Sequence, residues 1–145
     1  VEKLLVDAGP IIAFFNQSDE WHERVLEFYS TCTAELVTTL PVITETAWKL
    51  RGFQKAQNEF YRHIETRAYT IALLESDDFK RIAELNSKYK GQRPDLADLS
   101  LVVVSERLNL SRIVTIDRRD FSIYRRFGNL SFEQVEMPPV LRRKK

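Results

Sequence analysis

Short apolar runs and helix-period apolar stripes alternate along the chain, divided by turn and capping residues. Glu2 to Val6 contains the unbroken run Leu4-Leu5-Val6, the pattern of a short strand covered on both faces. Gly9-Pro10 then opens a helix through about Phe15, with Pro10 suited to the first helical position. Trp21, Val25, Phe28 and Tyr29 recur at helical spacing in a segment capped by Ser18 or Asp19 and running to about Thr31. Glu35 to Thr38 reads as a second strand. A Thr38 or Thr39 cap with Pro41 in the first turn starts a third helix to about Leu50, and Gly52 marks its end.

Gln54 to Glu65 is a mixed polar and aromatic helix, and Tyr69 to Leu73 alternates like a strand. Ser76 or Asp77 caps a helix from Phe79 to about Tyr89, which Gly91 stops. Pro94 to Leu108 is the most apolar helix: Leu96, Leu99, Val102 and Val103 leave little polar face beyond its first turn, so it is a central one. Arg112 to Ile116 is a strand, Phe121 to Phe127 a short helix or turn, and Phe132 to Val135 a last strand. Strands alternating with helices predict an α/β fold: one three-layer α/β/α domain with a small, mainly parallel sheet over residues 1–137. Residues 138–145, opening on Pro138-Pro139, are expected to be a basic, frayed tail.

Composition narrows the picture only slightly. The 145 residues suffice for a real core, and the net charge is +1, so the total does not announce a nucleic-acid binder. The distribution says more, because basic residues concentrate late, at Arg118-Arg119, Arg125-Arg126 and Arg142-Arg143-Lys144-Lys145. Ile11 to Phe15 and Leu99 to Val104 are too short to span a bilayer. Cys32 is alone, which excludes an internal disulfide and suits a reducing cytoplasm, and no leader pattern opens the sequence.

Against this background four acids stand out, each at the end of an apolar run or in the first turns of a helix: Asp7, Glu45, Asp98 and Asp117. An isolated carboxylate near a core is costly unless a cation or hydrogen bonds offset it. If the strands ending at Asp7 and before Asp117 are neighbours, their carboxylates share one rim, where open parallel sheets bind ligands. Asp95 and Asp98, three residues apart in a first helical turn, share a face. Oxygen donors without His or Cys at ligand spacing select Mg²⁺ or Mn²⁺ over zinc, and such ions serve displacement at phosphorus. Taken singly, each acid also has a structural reading: Asp7, Asp95 or Asp98 as a helix cap, Glu45 as a surface glutamate, Asp117 and Asp120 as turn residues.

Together, Leu4-Leu5-Val6-Asp7, Pro41-Val42-Ile43-Thr44-Glu45, Asp95-Leu96-Ala97-Asp98-Leu99-Ser100-Leu101-Val102 and Thr115-Ile116-Asp117-Arg118-Arg119-Asp120-Phe121 resemble the PIN-domain family across essentially the whole chain, most closely its VapC-like toxin ribonucleases. The resemblance implies a Mg²⁺- or Mn²⁺-dependent endoribonuclease that leaves a 5′-phosphate and a 3′-hydroxyl and works as a homodimer in the cytoplasm. Asp7, Glu45, Asp98 and Asp117 would be the catalytic, metal-holding acids, Asp95 and Asp120 auxiliary ones, and Thr115 a supporting hydroxyl. Arg118, Arg119, Arg125 and Arg126 would meet RNA phosphates. As the toxin of a toxin–antitoxin pair it would have a small antitoxin that blocks the pocket, inserting an Arg or Lys. One departure is Ala8, where many relatives carry Thr or Ser directly after the first Asp. A catalytically silent PIN-fold RNA-binding or scaffold domain is the alternative. Receiver and haloacid-dehalogenase-like folds do not match, for no acidic pair or Asp-x-Asp ends the first strand.

Overall fold

The computed structural model describes residues 1–140. In chain order its elements are β1 (Lys3–Val6), α1 (Ala8–Phe15), α2 (His22–Thr31), β2 (Glu35–Thr38), α3 (Leu40–Lys49), α4 (Gln54–Glu65), β3 (Thr70–Ile71), α5 (Asp78–Lys88), α6 (Leu96–Leu108), β4 (Arg112–Val114), α7 (Arg118–Ile123), β5 (Arg125–Arg126), β6 (Leu130–Ser131) and β7 (Glu133–Gln134). The main sheet has the order β3-β2-β1-β4-β7, with every neighbouring pair parallel. Three consecutive residues are buried in β1 (Leu4, Leu5, Val6) and in β2 (Leu36, Val37, Thr38). Successive side chains of a strand point to opposite faces, so both faces of this sheet are covered and the layers are α/β/α, as the apolar pattern predicts.

The topology creates the crevice that matters. From β1 the chain steps outward to β2 and β3, then returns to the other side of β1 with β4. Strand order reverses between β1 and β4, whose register sets Leu5 opposite Ile113 and Val6 opposite Val114. Asp7 therefore leaves one strand level with Thr115 leaving the other, and the Asp7 N–H donates to the Val114 carbonyl at 3.0 Å. α6 is central as expected, for every residue from Ala97 to Ser105 is buried. Its two serines remain tolerable there because their hydroxyls return to carbonyls, Ser100 to Ala97 at 2.7 Å and Ser105 to Val102 at 2.5 Å.

Several boundaries differ from expectation for identifiable reasons. α2 begins only at His22, because Asp19 first builds a turn, its carboxylate accepting from the Trp21 N–H at 2.9 Å and its carbonyl from His22. Thr39 precedes α3 but does not cap it; its hydroxyl pairs with Ser100 at 2.6 Å. β3 shrinks to two residues and β4 ends at Val114. The stretch from Phe121 to Phe127 is not one helix. α7 starts earlier, at Arg118, and the chain then forms an antiparallel hairpin, Arg125 opposite Ser131 and Arg126 opposite Leu130. That hairpin turns through positive φ at Phe127 (51°) and Gly128 (90°). Past β7, Arg24 donates to the carbonyls of Pro138 at 3.0 Å and Met137 at 3.1 Å. The basic residues expected at 142–145 lie outside the described residues. Among the described residues no helix is long and apolar enough to cross a membrane.

Candidate active site

Three aspartates begin three helices at the same rim, and each spends one oxygen on the backbone there. Asp7 caps α1, its Oδ1 accepting from the Ala8 N–H at 2.8 Å. Asp95 caps α6, its Oδ1 accepting from the Asp98 N–H at 2.8 Å, and Asp117 caps α7, its Oδ1 accepting from the Arg119 N–H at 3.2 Å. The capping reading therefore holds for Asp7 and Asp95, and Asp117, read from the sequence as a turn residue, caps α7 as well. The positive ends of α1, α6 and α7 lie where these carboxylates gather, which favours their charged forms. The Thr115 hydroxyl sits between two of them, 3.2 Å from Asp7 Oδ2 and 3.3 Å from the Asp117 carbonyl, and its one proton serves either acceptor.

Asp98 is the buried member, only 9% exposed. Its Oδ2 accepts a hydrogen bond from the Tyr124 hydroxyl at 3.0 Å. Glu45 is partly buried within α3, with Lys49 one turn further along the same helix.

The charges of these groups reach one another. Burial, then the Asp7 and Asp95 charges, push the Asp98 carboxyl up to about 8 against the pull of Tyr124. Burial, then Asp95 and Asp7, push Glu45 up to about 7, with Lys49 opposing. Asp7 rises to about 6, chiefly by burial, with the Ala8 N–H and Thr115 opposing and Asp95 and Asp117 adding to the rise. Asp120 is raised as well, first by burial, then by Asp117. Asp7, Glu45, Asp95, Asp98, Asp117 and Asp120 thus act on one another electrostatically, although among the described residues no three Asp, Glu, His or Cys side chains close round a single point. The donor set fits a hard divalent cation: it is all oxygen, and Asp7, Glu45, Asp98 and Asp120 are raised by burial and by neighbouring negative charge, which a cation relieves. Both histidines are engaged elsewhere, their Nδ1 atoms on the carbonyls of Ala13 and Glu59.

The four candidate arginines divide. Arg118 and Arg119 are exposed beside Asp117. Arg125 instead turns back on its own chain, its Nη1 donating to the carbonyls of Ser122 at 2.8 Å, Tyr124 at 3.0 Å and Ile123 at 3.2 Å at the end of α7. Arg126 is buried, 7% exposed, with its guanidinium 6.0 Å from the centre of the Phe132 ring. Arg126, being buried, does not offer its charge to a strand in solvent, and Arg125 has Nη1 engaged by its own backbone. Sequence reasoning missed Tyr124 and the Thr39–Ser100 hydroxyl pair. Tyr124 falls three residues after Phe121, so its spacing marks a core aromatic, while nothing in the chain announces the carboxylate that its hydroxyl meets.

Beside the acids runs an apolar groove lined by Leu40, Trp48, Leu73, Phe79 and Leu96, with Glu45 and Asp95 on its rim. Trp48 is 62% exposed, so it is not a core residue, and the Arg51 guanidinium stacks 3.7 Å from the centre of its ring.

Comparisons with known proteins bear on this geometry. The family model described as PIN domain matches residues 4–126. Ribonuclease VapC26 of Mycobacterium tuberculosis is 27% identical over 134 residues, covering 91% of this chain and 99% of that protein. Among solved structures, M. tuberculosis VapC20, described as a sarcin-ricin loop cleaving toxin, superposes with a TM-score of 0.73 at 14% identity, over 80% of this chain and 91% of that one. A toxin–antitoxin complex from Klebsiella pneumoniae gives 0.60 at 15% identity, over 83% and 91%. At such identities the two structures speak for the fold.

Proposed function

The chain belongs to the PIN-domain family, and on that premise we propose that it is a VapC-like toxin ribonuclease, a Mg²⁺- or Mn²⁺-dependent endoribonuclease. The observation that carries this reading is that Asp7, Glu45 and Asp98 are each raised, first by burial and then by the charges of neighbouring acids, beside the β1–β4 crevice. Those four would hold the cation, with Asp95 and Asp120 adding negative charge to the rim. A bound divalent cation supplies Lewis-acid chemistry, polarising a phosphodiester and making water a better nucleophile.

The chain's own residues supply the rest. Thr115 steadies the second oxygen of Asp7, and Tyr124 that of Asp98, so that carboxylates are oriented before RNA arrives. Glu45 and Asp98 hold protons near neutrality, and releasing them as the cation enters links metal affinity to pH. Exposed Arg118 and Arg119 would hold phosphates flanking the scissile bond. The likeness to a toxin–antitoxin complex supports a protein antitoxin as partner, and an Arg or Lys from it would neutralise the acids. The enzyme would act in the cytoplasm, where RNA is available and Cys32 stays reduced.

It would also act as a homodimer. Leu40, Trp48, Leu73, Phe79 and Leu96 form an exposed apolar face, and Glu45 and Lys49 flank Trp48 one turn apart on α3. A two-fold axis over this face would cover the tryptophans of both copies. The function is tested by incubating purified protein with structured RNA and Mg²⁺ or Mn²⁺. Metal-dependent cutting that is lost in Asp7→Asn and Asp98→Asn is the expected result. RNA binding without cutting, insensitive to metal and to both substitutions, would favour a catalytically silent RNA-binding domain instead.

A further inference from the structure

We propose that Tyr124 is a positioning residue, its hydroxyl fixing which oxygen of Asp98 is presented to a divalent cation; this rests on the metal-site reading above. Tyr124 is completely buried, and its hydroxyl donates to Asp98 Oδ2 at 3.0 Å. The ring has little freedom to turn. Tyr89 packs edge-on at 5.1 Å between ring centres and Phe121 at 5.3 Å, each close to perpendicular. The backbone beneath it is equally held. The Tyr124 N–H donates to the Asp120 carbonyl at 3.1 Å, its carbonyl accepts from Arg125 Nη1 at 3.0 Å, and the next N–H, of Arg125, donates to the Tyr89 hydroxyl at 2.8 Å.

A side chain locked on every side is a fixed reference point for whatever its one polar atom touches. Here that is a carboxylate oxygen 26 residues earlier in the chain, on α6. With one lone pair of Oδ2 taken by Tyr124, Oδ1 is the freer oxygen for an ion. A phenylalanine would fill the same space and keep the aromatic contacts, so what the hydroxyl contributes is its bond to Asp98. Donors to metal-holding groups set the orientation of those groups and act on metal affinity without touching the metal.

The test is Tyr124→Phe, with Mn²⁺ affinity measured on RNA-free protein by the paramagnetic resonance of the free ion. The comparison variant is Tyr29→Phe, which removes another hydroxyl pair, Tyr29 with Tyr69 at 2.8 Å, away from the acids. Tyr124→Phe is expected to weaken Mn²⁺ binding by about ten-fold or more, and Tyr29→Phe to leave it unchanged. Raising Mn²⁺ by the same factor should recover most of the RNA cutting, with KM for RNA unaltered. In an Asp98→Asn background the added Tyr124→Phe change should cost nothing further, because its target is already altered. Wild-type Mn²⁺ affinity in Tyr124→Phe overturns the proposal, as does an equal loss in Tyr29→Phe. If Tyr124→Phe does not fold, the hydroxyl's role is scaffolding and the proposal fails on that count. Absence of Mn²⁺ binding by the wild type defeats the metal-site reading itself, a distinguishable result.

Discussion

Asp7, Asp95 and Asp117 each divide a carboxylate between a helix N-terminus and the rim, which allows the two duties to be separated experimentally. Asparagine caps a helix as well as aspartate does but carries no charge. Asp7→Asn should therefore keep thermal stability while RNA cutting falls by about 100-fold or more, a ligand counting for at least as much as its supporting groups. Asp7→Ala should lose the cutting and in addition about 1 kcal/mol of stability, read from urea unfolding. A further consequence concerns pH. Asp98 rises from 3.8 to about 8 and Glu45 from 4.5 to about 7 in the folded protein, so the native state binds more protons than the unfolded chain between those values. Stability of the metal-free protein must then fall as pH rises through that interval. Melting curves in chelator should show a lower Tm at pH 8.5 than at pH 5.5, and added Mn²⁺ should raise Tm more at pH 8.5; a Tm that climbs with pH in chelator would contradict this account. At this scale the acids were legible because charge at the end of an apolar run is conspicuous. Tyr124 was not, since a buried tyrosine and a buried phenylalanine leave the same apolar pattern.

The elements that frame the site differ in how plainly they were written. β1, β2 and α6 carry unbroken apolar runs, and burial on all sides is what such runs mean. The β5–β6 hairpin has strands of two residues each, too short for any alternation to register, and its arginines mimic a surface patch. What holds it is tertiary. Glu106 on α6 accepts from Nε and Nη2 of Arg81 on α5, at 3.0 and 2.9 Å, and from the Phe127 N–H of the hairpin turn at 2.6 Å. The Arg126 charge also acts on Glu106, and with the Arg81 bonds and the Phe127 N–H it holds that carboxyl below its usual range in spite of burial. Glu106→Gln should remove the charge that serves Arg81 and Arg126 together, at a cost of about 2 kcal/mol. Urea midpoints would show it, and hydrogen exchange at Phe127 should accelerate in step.

For the molecule as a whole, the parallel sheet and its helical cover followed from the alternation of elements, but the apolar face around Trp48 did not. Trp48, at helical spacing with apolar neighbours, reads from the sequence as a core or a dimer contact, and the packed structure decides against the core, for no element covers it among the described residues. Trp48→Glu should turn a dimer into a monomer in sedimentation velocity with little change in Tm; a wild type that sediments as a monomer at every concentration would end the dimer assignment. The sheet order has one more consequence, for the life of the chain during synthesis. β1 and its neighbour β4 are more than a hundred residues apart in the chain, so Asp7 acquires Thr115 and Asp117 beside it only after everything between them has been synthesised. A site assembled in that order is incomplete in the nascent chain: until β4 docks, Asp7 stands without the neighbours that Thr115 and Asp117 provide.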